Sequence, residues 1–414
     1  MTTSTTTAGA PVDVVTRRAR IAVATLFLTN GALFANVVPR FPSIKAELEL
    51  GNAAYGLAVA AFPAGAILAG LAAAVVIRRI GSARAAVVGT VITAVGTVLV
   101  GWSPTALAFG LALFFAGSAD AITDVAQNTH GLRVQRRYGR SIINSFHAVW
   151  SIGAVTGGAM AALAIALDVP RSVHLSVTGA LFSATAIVAL RHCLPGRDDE
   201  RDVGLADAPA ETARVRARIG GRTAAILVAL VVVATAGTLV EDAGSSWAAI
   251  YLGDLGAPAA LAAVGFVALV GAQFIGRTFG DRLVDRFGQR AVARTGGAVA
   301  AVGMGVALAF PTVPGTIAGF AAAGLGVATL VPAAMHEADE LPGLRTGTGV
   351  TVVSWLMRLG FLLSPPVVGL VADATSLRVG LLVVPIAGVA ALVLAQVFPG
   401  RRSLERGGEV VRAG

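Results

Sequence analysis

Apolar stretches long enough to cross a lipid bilayer recur along the whole chain, and they constrain its fold more than any other feature. A helix rises about 1.5 Å per residue, so about 20 apolar residues cross roughly 30 Å of hydrocarbon. The stretches predict helices at 21–38, 53–77, 85–101, 105–129, 141–167, 172–190, 223–245, 260–281, 291–310, 315–336, 346–371 and 379–398. We therefore expect an all-α membrane protein with twelve transmembrane helices.

The composition excludes a soluble globular protein. Of 414 residues, 56% are hydrophobic and only 13% are charged, whereas soluble domains carry about 25% charged residues. The net charge of +9 is spread over short loops and is not interleaved with aromatic residues, which argues against a nucleic-acid partner. Because Cys193 is the single cysteine and no metal-ligand, P-loop or nucleophile motif occurs, we expect no metal, no cofactor and no enzyme activity.

The distribution of basic residues predicts the orientation in the membrane. With a cytoplasmic N-terminus, nearly all of the 32 Lys and Arg residues fall in cytoplasmic segments. The exceptions are Arg40, Lys45, Arg171 and Arg378 outside, and Arg277 and Arg358 within helices. We expect a multi-pass protein of a bacterial inner membrane with both termini in the cytoplasm.

The helices divide six and six around one long, charged segment. We expect a disordered N-terminal tail at 1–16, a six-helix bundle at 17–190, a cytoplasmic linker at 191–222, a second bundle at 223–398 and a cytoplasmic tail at 399–414. The halves repeat at one offset, which aligns Arg79-Ile80-Gly81 with Arg286-Phe287-Gly288. A constant offset through helices and loops indicates duplication, and such parallel repeats are typical of transporters.

The segment GDRLVDRFGQR at 280–290 resembles the loop signature of the major facilitator superfamily. The resemblance implies the major facilitator fold of two six-helix halves. In that family an aspartate of this loop braces a neighbouring helix in one transport state, and Asp285 matches it. We accordingly expect Asp285, Arg286, Asp281 and Arg277 to act in gating, although Arg78 stands at the aspartate position of the first-half copy.

Residues 120–131, 139–151 and 241–252 are similar to YbjJ-type and fucose-permease-like permeases. This resemblance implies a permease, and we expect a monomeric secondary transporter in the lipid bilayer that moves a small molecule. Uptake of a sugar-like solute and export of a metabolite or drug both stay open. An uncoupled facilitator and a non-transporting membrane sensor are the alternatives.

Asp120 and Asp124 are the clearest candidates for chemistry because a charge inside a transmembrane helix is costly. They are spaced i and i+4 on one face of the fourth helix, together with Gln127. Two close carboxylates in a low dielectric cannot easily both ionise, so we expect the pair to couple to protons. His147 on the fifth helix is expected at a similar depth, where it either relays the proton or packs in the core.

Further polar and aromatic residues are candidates for contacts with a substrate. Arg358 is too deep to reach the membrane surface and is expected to line a cavity. Arg277 is expected to pair with Asp281 or to extend to the interface. Glu241 and Asp242 fall near the outer end of the predicted seventh helix and are either cavity acids or interfacial charges. The predicted binding set comprises Arg358, Gln273, Asn128, Asn144, Ser151, Trp150, Trp355, Glu241 and Asp242.

Overall fold

The chain is described by a computed structural model that covers residues 13–139, 142–196, 198, 220–344 and 348–399. Within these residues, 12 helices are long and apolar enough to cross a membrane, which confirms the predicted number. They are α1 (Val14–Glu47), α2 (Asn52–Gly70), α3 (Ser82–Gly101), α4 (Ala106–Tyr138), α5 (Ile143–Ala166), α6 (Arg171–Leu190), α7 (Gly221–Asp254), α8 (Ala259–Phe287), α9 (Gln289–Ala309), α10 (Val313–Asp339), α11 (Thr348–Ala374) and α12 (Leu377–Val397). A short helix, Ala73–Ile80, joins α2 to α3.

The first helix begins inside the predicted disordered tail. Asp13 is the N-cap of α1, and its carboxylate accepts hydrogen bonds from the backbone N–H (2.6 Å) and hydroxyl (3.0 Å) of Thr16. The bond from the Thr16 backbone holds the pKa of Asp13 below its usual range. The predicted tail 1–16 is therefore wrong for residues 14–16, which are helical. Residues 1–12, the middle of the linker and the C-terminal tail lie outside the described residues.

The repeated loops have the same backbone geometry in both copies. Gly81 has φ 84° and ψ 152°, and Gly288 has φ 85° and ψ 151°. A residue with a Cβ is strained at such positive φ values, so both copies need glycine to leave one helix and begin the next. The identical turn at equivalent positions supports a duplication.

The helices pack in two groups, which we call the N-half (α1–α6) and the C-half (α7–α12). In the N-half α1 packs on α5, α4 on α2 and α3, and α6 on α3. The C-half repeats these contacts, with α7 on α11, α10 on α8 and α9, and α12 on α9. The halves meet mainly along two seams, α2 with α11 and α5 with α8, which the sequence repeat interchanges.

Glycines bring α1 and α5 into backbone contact. A side chain on Gly153 would collide with the carbonyl of Leu28, and one on Gly31 would collide with the carbonyl of Trp150. Each helix therefore offers a glycine to the backbone of the other. This close approach brings the polar side chains of α1 within reach of the α5 side chains on the inner face of the N-half.

The halves are joined at the end of the bundle that carries the α1–α2, α7–α8 and α11–α12 connections, which we call the closed end. There the Tyr55 hydroxyl donates to the Ser246 carbonyl (2.7 Å), and its ring meets the Trp247 ring edge-on with centroids 5.0 Å apart. The Asp373 carboxylate of α11 accepts from the backbone N–H groups of Asn52 (3.0 Å) and Ala53 (2.8 Å) at the start of α2.

Towards the opposite end, side chains between the halves are exposed. Asp124 on α4 and His147 on α5 are accessible, although each lies in a membrane-spanning helix. Side-chain contacts therefore join the halves at the closed end, whereas polar side chains are accessible towards the end where α1 begins and α12 ends.

Candidate functional site

A chain of hydrogen bonds links three helices of the N-half at mid-membrane depth. The Asn30 amide of α1 donates to Asp120 Oδ1 (2.6 Å), and the Trp150 indole N–H of α5 donates to Asn30 Oδ1 (2.8 Å). Asp120 lies roughly 21 Å from the start of α4, at 1.5 Å per residue. Asn30 thus satisfies a carboxylate and an indole at once, and it fixes both on the inner face of the N-half.

Asp124 lies one turn further along α4 and is exposed to the space between the halves. Its Oδ1 accepts from Asn128 Nδ2 (3.0 Å) and from Gln127 Nε2 (3.3 Å). Gln127 itself is fully buried. Two amides of the same helix therefore orient this carboxylate and leave it accessible. Asn128, a predicted substrate contact, instead holds Asp124.

His147 on α5 packs against α1, within electrostatic range of charged groups on both halves. Its ring meets the Phe27 ring edge-on, with centroids 5.1 Å apart, and both Asp124 and Arg277 are close enough to act on its charge. The expected proximity of His147 to Asp124 is thus present in the structure. Arg277 belongs to α8 of the opposite half, so the surroundings of His147 depend on how the halves are arranged.

In the C-half, one carboxylate gathers the polar side chains of α7 and α8. Glu241 Oε2 accepts from Gln273 Nε2 (2.7 Å) and lies 3.5 Å from Arg277 Nη2. The predicted pairing of Arg277 with Asp281 is wrong, since Arg277 turns towards the inter-half space and not along its own helix. Gln273 and Glu241, both predicted substrate contacts, lie together in this cluster.

The seventh helix is longer than predicted, and this changes the expected positions of its two acidic residues along the helix. α7 continues to Asp254 and not to 245, so Glu241 lies roughly 20 Å from its end, at 1.5 Å per residue. The interfacial alternative for Glu241 and Asp242 is therefore wrong. Asp242 is only 9% exposed and faces Ser246 and Ser364, so it belongs to the packing of α7 against α11 and does not line the space.

Two further predicted contacts have other surroundings. Ser151 is 5% exposed, and its hydroxyl donates to the His147 carbonyl one turn earlier (3.2 Å), so a substrate in the space does not reach it. Trp150 is half-buried and is held through its indole by Asn30. The side chain of Asn144 lies outside the described residues.

Arg358 and Trp355 lie on α11 near the seam with α2. Arg358 Nη1 is 3.6 Å from the position that a Cβ on Gly70 would occupy, and residues 365 and 369 of the same α11 face pack on α2. Among the described residues Arg358 has no ion-pair partner, and Trp355 is 51% exposed. The predicted cavity arginine is thus a seam residue.

The four predicted gating residues separate into two places. Asp281, Asp285 and Arg286 are exposed at the end of α8, where the Arg286 guanidinium lies 5.3 Å from the centre of the Phe287 ring. Within the described residues neither aspartate forms an ion pair. Arg277 lies with Glu241 as described above. No group of three or more potential metal ligands occurs in the described part of the chain.

Asn30 is a site residue that the sequence analysis missed. A signal was available, because an asparagine inside an apolar helix must find a hydrogen-bond partner. What the sequence could not indicate is which helices supply the partners, since Asp120 and Trp150 are remote from Asn30 along the chain.

Known proteins resemble the chain over most of its length. A sequence model of the Major Facilitator Superfamily matches residues 23–282 and 243–412. An uncharacterized transporter, y4wD, of Sinorhizobium fredii is 28% identical over 91% of this chain and 97% of its own length. Membrane protein MosC of Rhizobium meliloti is 28% identical over 92% of this chain and 90% of its own.

Solved structures agree on the fold. Nucleoside transporter NupG has a TM-score of 0.69 at 13% identity, and covers 93% of this chain and 98% of its own. A D-xylose-proton symporter has a TM-score of 0.69 at 15% identity, with the same coverage of both chains. Members of this family are transporters and not enzymes. The chain therefore belongs to the Major Facilitator Superfamily and is a multi-pass membrane transporter.

Proposed function

We propose that this chain is a proton-coupled secondary transporter that moves a small organic solute across a bacterial inner membrane by alternating access. The observation that carries the proposal is the pair Asp120 and Asp124, which lies in the apolar part of α4, where a charge is costly. Two carboxylates one helical turn apart, roughly 6 Å between Cβ atoms, favour the uptake of one proton.

Asp124 is the better candidate for the coupling group. The bonds of Asp120 to Asn30, and of Asn30 to Trp150, lie within the N-half and are expected to persist when the halves rock. Asp124 is exposed. Asp124 and Arg277 of the C-half both lie within electrostatic range of His147, so a movement of the halves changes the charges around Asp124. A proton gradient acts on transport only through a proton affinity that differs between states.

The solute is proposed to bind between Asp124 and the Glu241 cluster. Glu241 and Arg277 offer an acceptor and donors from the C-half, with Glu241 oriented by the buried amide of Gln273, and Asn128 lies beside the exposed Asp124 in the N-half. This set suits a solute with several hydroxyl or amide groups. Uptake of a sugar-like or nucleoside-like solute and export of a metabolite or drug are both compatible with it, as is the YbjJ-type and fucose-permease-like branch.

The remaining parts of the proposal follow from the sequence. Both termini are proposed to lie in the cytoplasm, with bundles at 17–190 and 223–398 joined by the linker 191–222, and the protein is proposed to act as a monomer. A sensor would need a signalling domain, and a linker of this length is too short to fold alone. An uncoupled facilitator is the alternative that the experiment addresses.

The test uses purified protein in liposomes that contain a pH-sensitive dye. A thermal-shift screen of sugars, nucleosides, organic acids and cationic drugs first identifies a ligand, because binding raises the unfolding temperature. We expect this ligand to move protons across the membrane with wild-type protein. Asp124→Asn should abolish proton movement and accumulation but retain exchange of labelled for unlabelled ligand, which needs no net proton transfer.

Asp120→Asn is the companion variant, and it tests which carboxylate couples. If accumulation under an imposed pH gradient proceeds at the wild-type rate in both variants, neither carboxylate is the coupling group. Transport by wild-type protein without any proton movement would identify the protein as a facilitator.

A further inference from the structure

A second polar cavity lies at the end of the bundle where α1 begins and α12 ends, away from the space between the halves. It has a volume of about 810 Å³ and lies between the short helix Ala73–Ile80, the start of α3 and the segment that follows α6. Four arginines line it: Arg78, Arg79, Arg84 and Arg191. Nothing in the transport proposal uses these residues.

The cavity has a strong excess of positive charge. All four arginines are exposed, and within the described part of the chain none of them has an ion-pair partner. The carboxylate that lines the cavity, Asp198, is already engaged. It accepts from the Ser82 backbone N–H and hydroxyl, both at 2.6 Å, and lies 3.6 Å from Arg133, which is outside the lining.

The start of α3 already has an acceptor from the chain itself, because Asp198 accepts from the first N–H of that helix. The unpaired charge resides in the guanidinium groups. Guanidinium is a planar donor that matches the oxygens of a phosphate bidentately, and several of them around one space favour a phosphate-bearing anion.

The position of the cavity favours a lipid over a soluble anion. α6 ends at Leu190 and α3 begins at Ser82, so the cavity lies where the apolar helices give way to polar loops. Its lining combines the arginines with Ile77, Ile80 and Leu190. A phospholipid needs both parts, because its phosphate lies at this boundary while its acyl chains extend along the apolar helix surface.

The cluster is confined to the N-half. At the repeat offset that aligns Arg79 with Arg286, the C-half has Asp285 in place of Arg78, Ala291 in place of Arg84 and Phe398 in place of Arg191. The same turn thus exists twice in the protein, and of the four arginine positions only that of Arg79 is an arginine, Arg286, in the second copy. The departure of the first-half loop from the family signature, Arg78 for aspartate, is part of this cluster.

We propose that the Arg78–Arg79–Arg84–Arg191 cavity binds the phosphate headgroup of an anionic phospholipid, such as phosphatidylglycerol. The proposal is independent of the transported solute and of proton coupling.

The experiment is native mass spectrometry of the purified full chain after exchange into micelles with either phosphatidylglycerol or phosphatidylcholine. Wild-type protein should retain phosphatidylglycerol in preference. The variant Arg84→Gln/Arg191→Gln should lose this retention by about tenfold, since two of the four guanidinium groups are removed. The control Arg282→Gln/Arg294→Gln removes two exposed arginines of the C-half and should retain the lipid like the wild type. All four positions are exposed, so folding is expected to persist, which the thermal-unfolding midpoint verifies.

Four results would overturn the proposal. Equal losses in the test and control variants would show retention by overall charge. Equal retention of phosphatidylcholine would show that the arginines do not select an anion. Complete displacement of the lipid by millimolar inorganic phosphate would assign the cavity to a soluble anion. If the lipid is retained only after Asp199→Asn, Glu200→Gln and Asp202→Asn, the ligand of the arginines is the chain's own acidic segment and not a lipid.

Discussion

Arg277 of α8 lies 3.5 Å from Glu241 of α7, and Gln273, one turn away on α8, donates to the same carboxylate oxygen. The three side chains form a polar cluster of the C-half that faces Asp124 and His147 of the N-half. Arg277 also lies within electrostatic range of His147 on α5.

The Glu241–Arg277 pair is expected to contribute modestly to stability. Both side chains are partly exposed, at 20% and 37%, so solvent screens their attraction and a coupling of about 0.5–1.5 kcal/mol is expected. A double-mutant cycle with Glu241→Gln and Arg277→Gln, measured by thermal unfolding in detergent, gives this value. Strictly additive effects of the two substitutions would show that the pair does not interact.

Asn30 is expected to be more important for stability than its modest size suggests. Asn30→Ala leaves both Asp120 and the Trp150 indole without their partners, and each unsatisfied buried group costs about 1–3 kcal/mol. The unfolding midpoint should fall clearly below that of Asn128→Ala, whose partner Asp124 is exposed and keeps Gln127. Equal midpoints for the two variants would contradict the bridging role of Asn30.

Much of this arrangement could be predicted from the sequence, and the part that could not has a physical cause. The number of helices follows from apolar length, and the facing of Asp120, Asp124 and His147 follows from helical periodicity. Partners across helices do not follow, because they depend on how the helices pack. Asn30 and the Glu241–Arg277 pair were therefore missed.

The extent of α7 shows a second limit of the sequence. The end of its apolar stretch was read near residue 245, yet the helix continues to Asp254 because residues such as Trp247 and Leu252 are buried against neighbouring helices. A helix that packs on protein needs no uniform hydrophobicity to continue. Glu241, for which an interfacial position was one of two alternatives, consequently lies well inside the helix and not near its end. For Arg358, helical periodicity predicts the face of α11 on which it lies, but it does not predict which helix that face contacts.

Cys193 is expected to be nearly inert towards maleimides. It lies just after α6, and burial raises the pKa of its thiol to about 12, so the reactive thiolate is scarce at neutral pH. Its labelling should become appreciable only as the pH rises towards that value, or after unfolding. Mass spectrometry of native and denatured wild-type protein at pH 7 and pH 9 measures this. Rapid labelling of the native protein at pH 7 would contradict the burial.

Asp373 is expected to hold the closed end together. Its carboxylate accepts from the backbone N–H groups of Asn52 and Ala53 and from the Asn52 side chain (2.9 Å), so it caps α2 from the opposite half. Asp373→Ala should favour opening, and a loss of about 1.4 kcal/mol shifts the equilibrium about tenfold. Labelling of Ser246→Cys, a buried position beneath Tyr55, should accelerate accordingly. The control is Asp254→Ala, and equal rates in the two backgrounds would argue against the cap.

Substitution of Arg358 tests whether this residue binds the substrate or instead affects the conformational change. Sequence reasoning predicts that Arg358 holds the substrate, but the side chain lies against Gly70 at the α2–α11 seam, and both helices must move when the halves rock. We therefore expect Arg358→Ala to change ligand affinity less than twofold while altering the exchange rate of labelled ligand several-fold. Arg358→Lys should restore only part of that rate, because an ammonium is compact and lacks the planar donors of guanidinium. Gln273→Ala is the matched variant, since its buried amide orients Glu241 of the proposed site and its removal should weaken affinity through that carboxylate. Ligand titration by thermal shift and exchange in liposomes measure the two quantities separately. A large loss of ligand affinity in Arg358→Ala at an unchanged exchange rate would show that Arg358 binds the substrate.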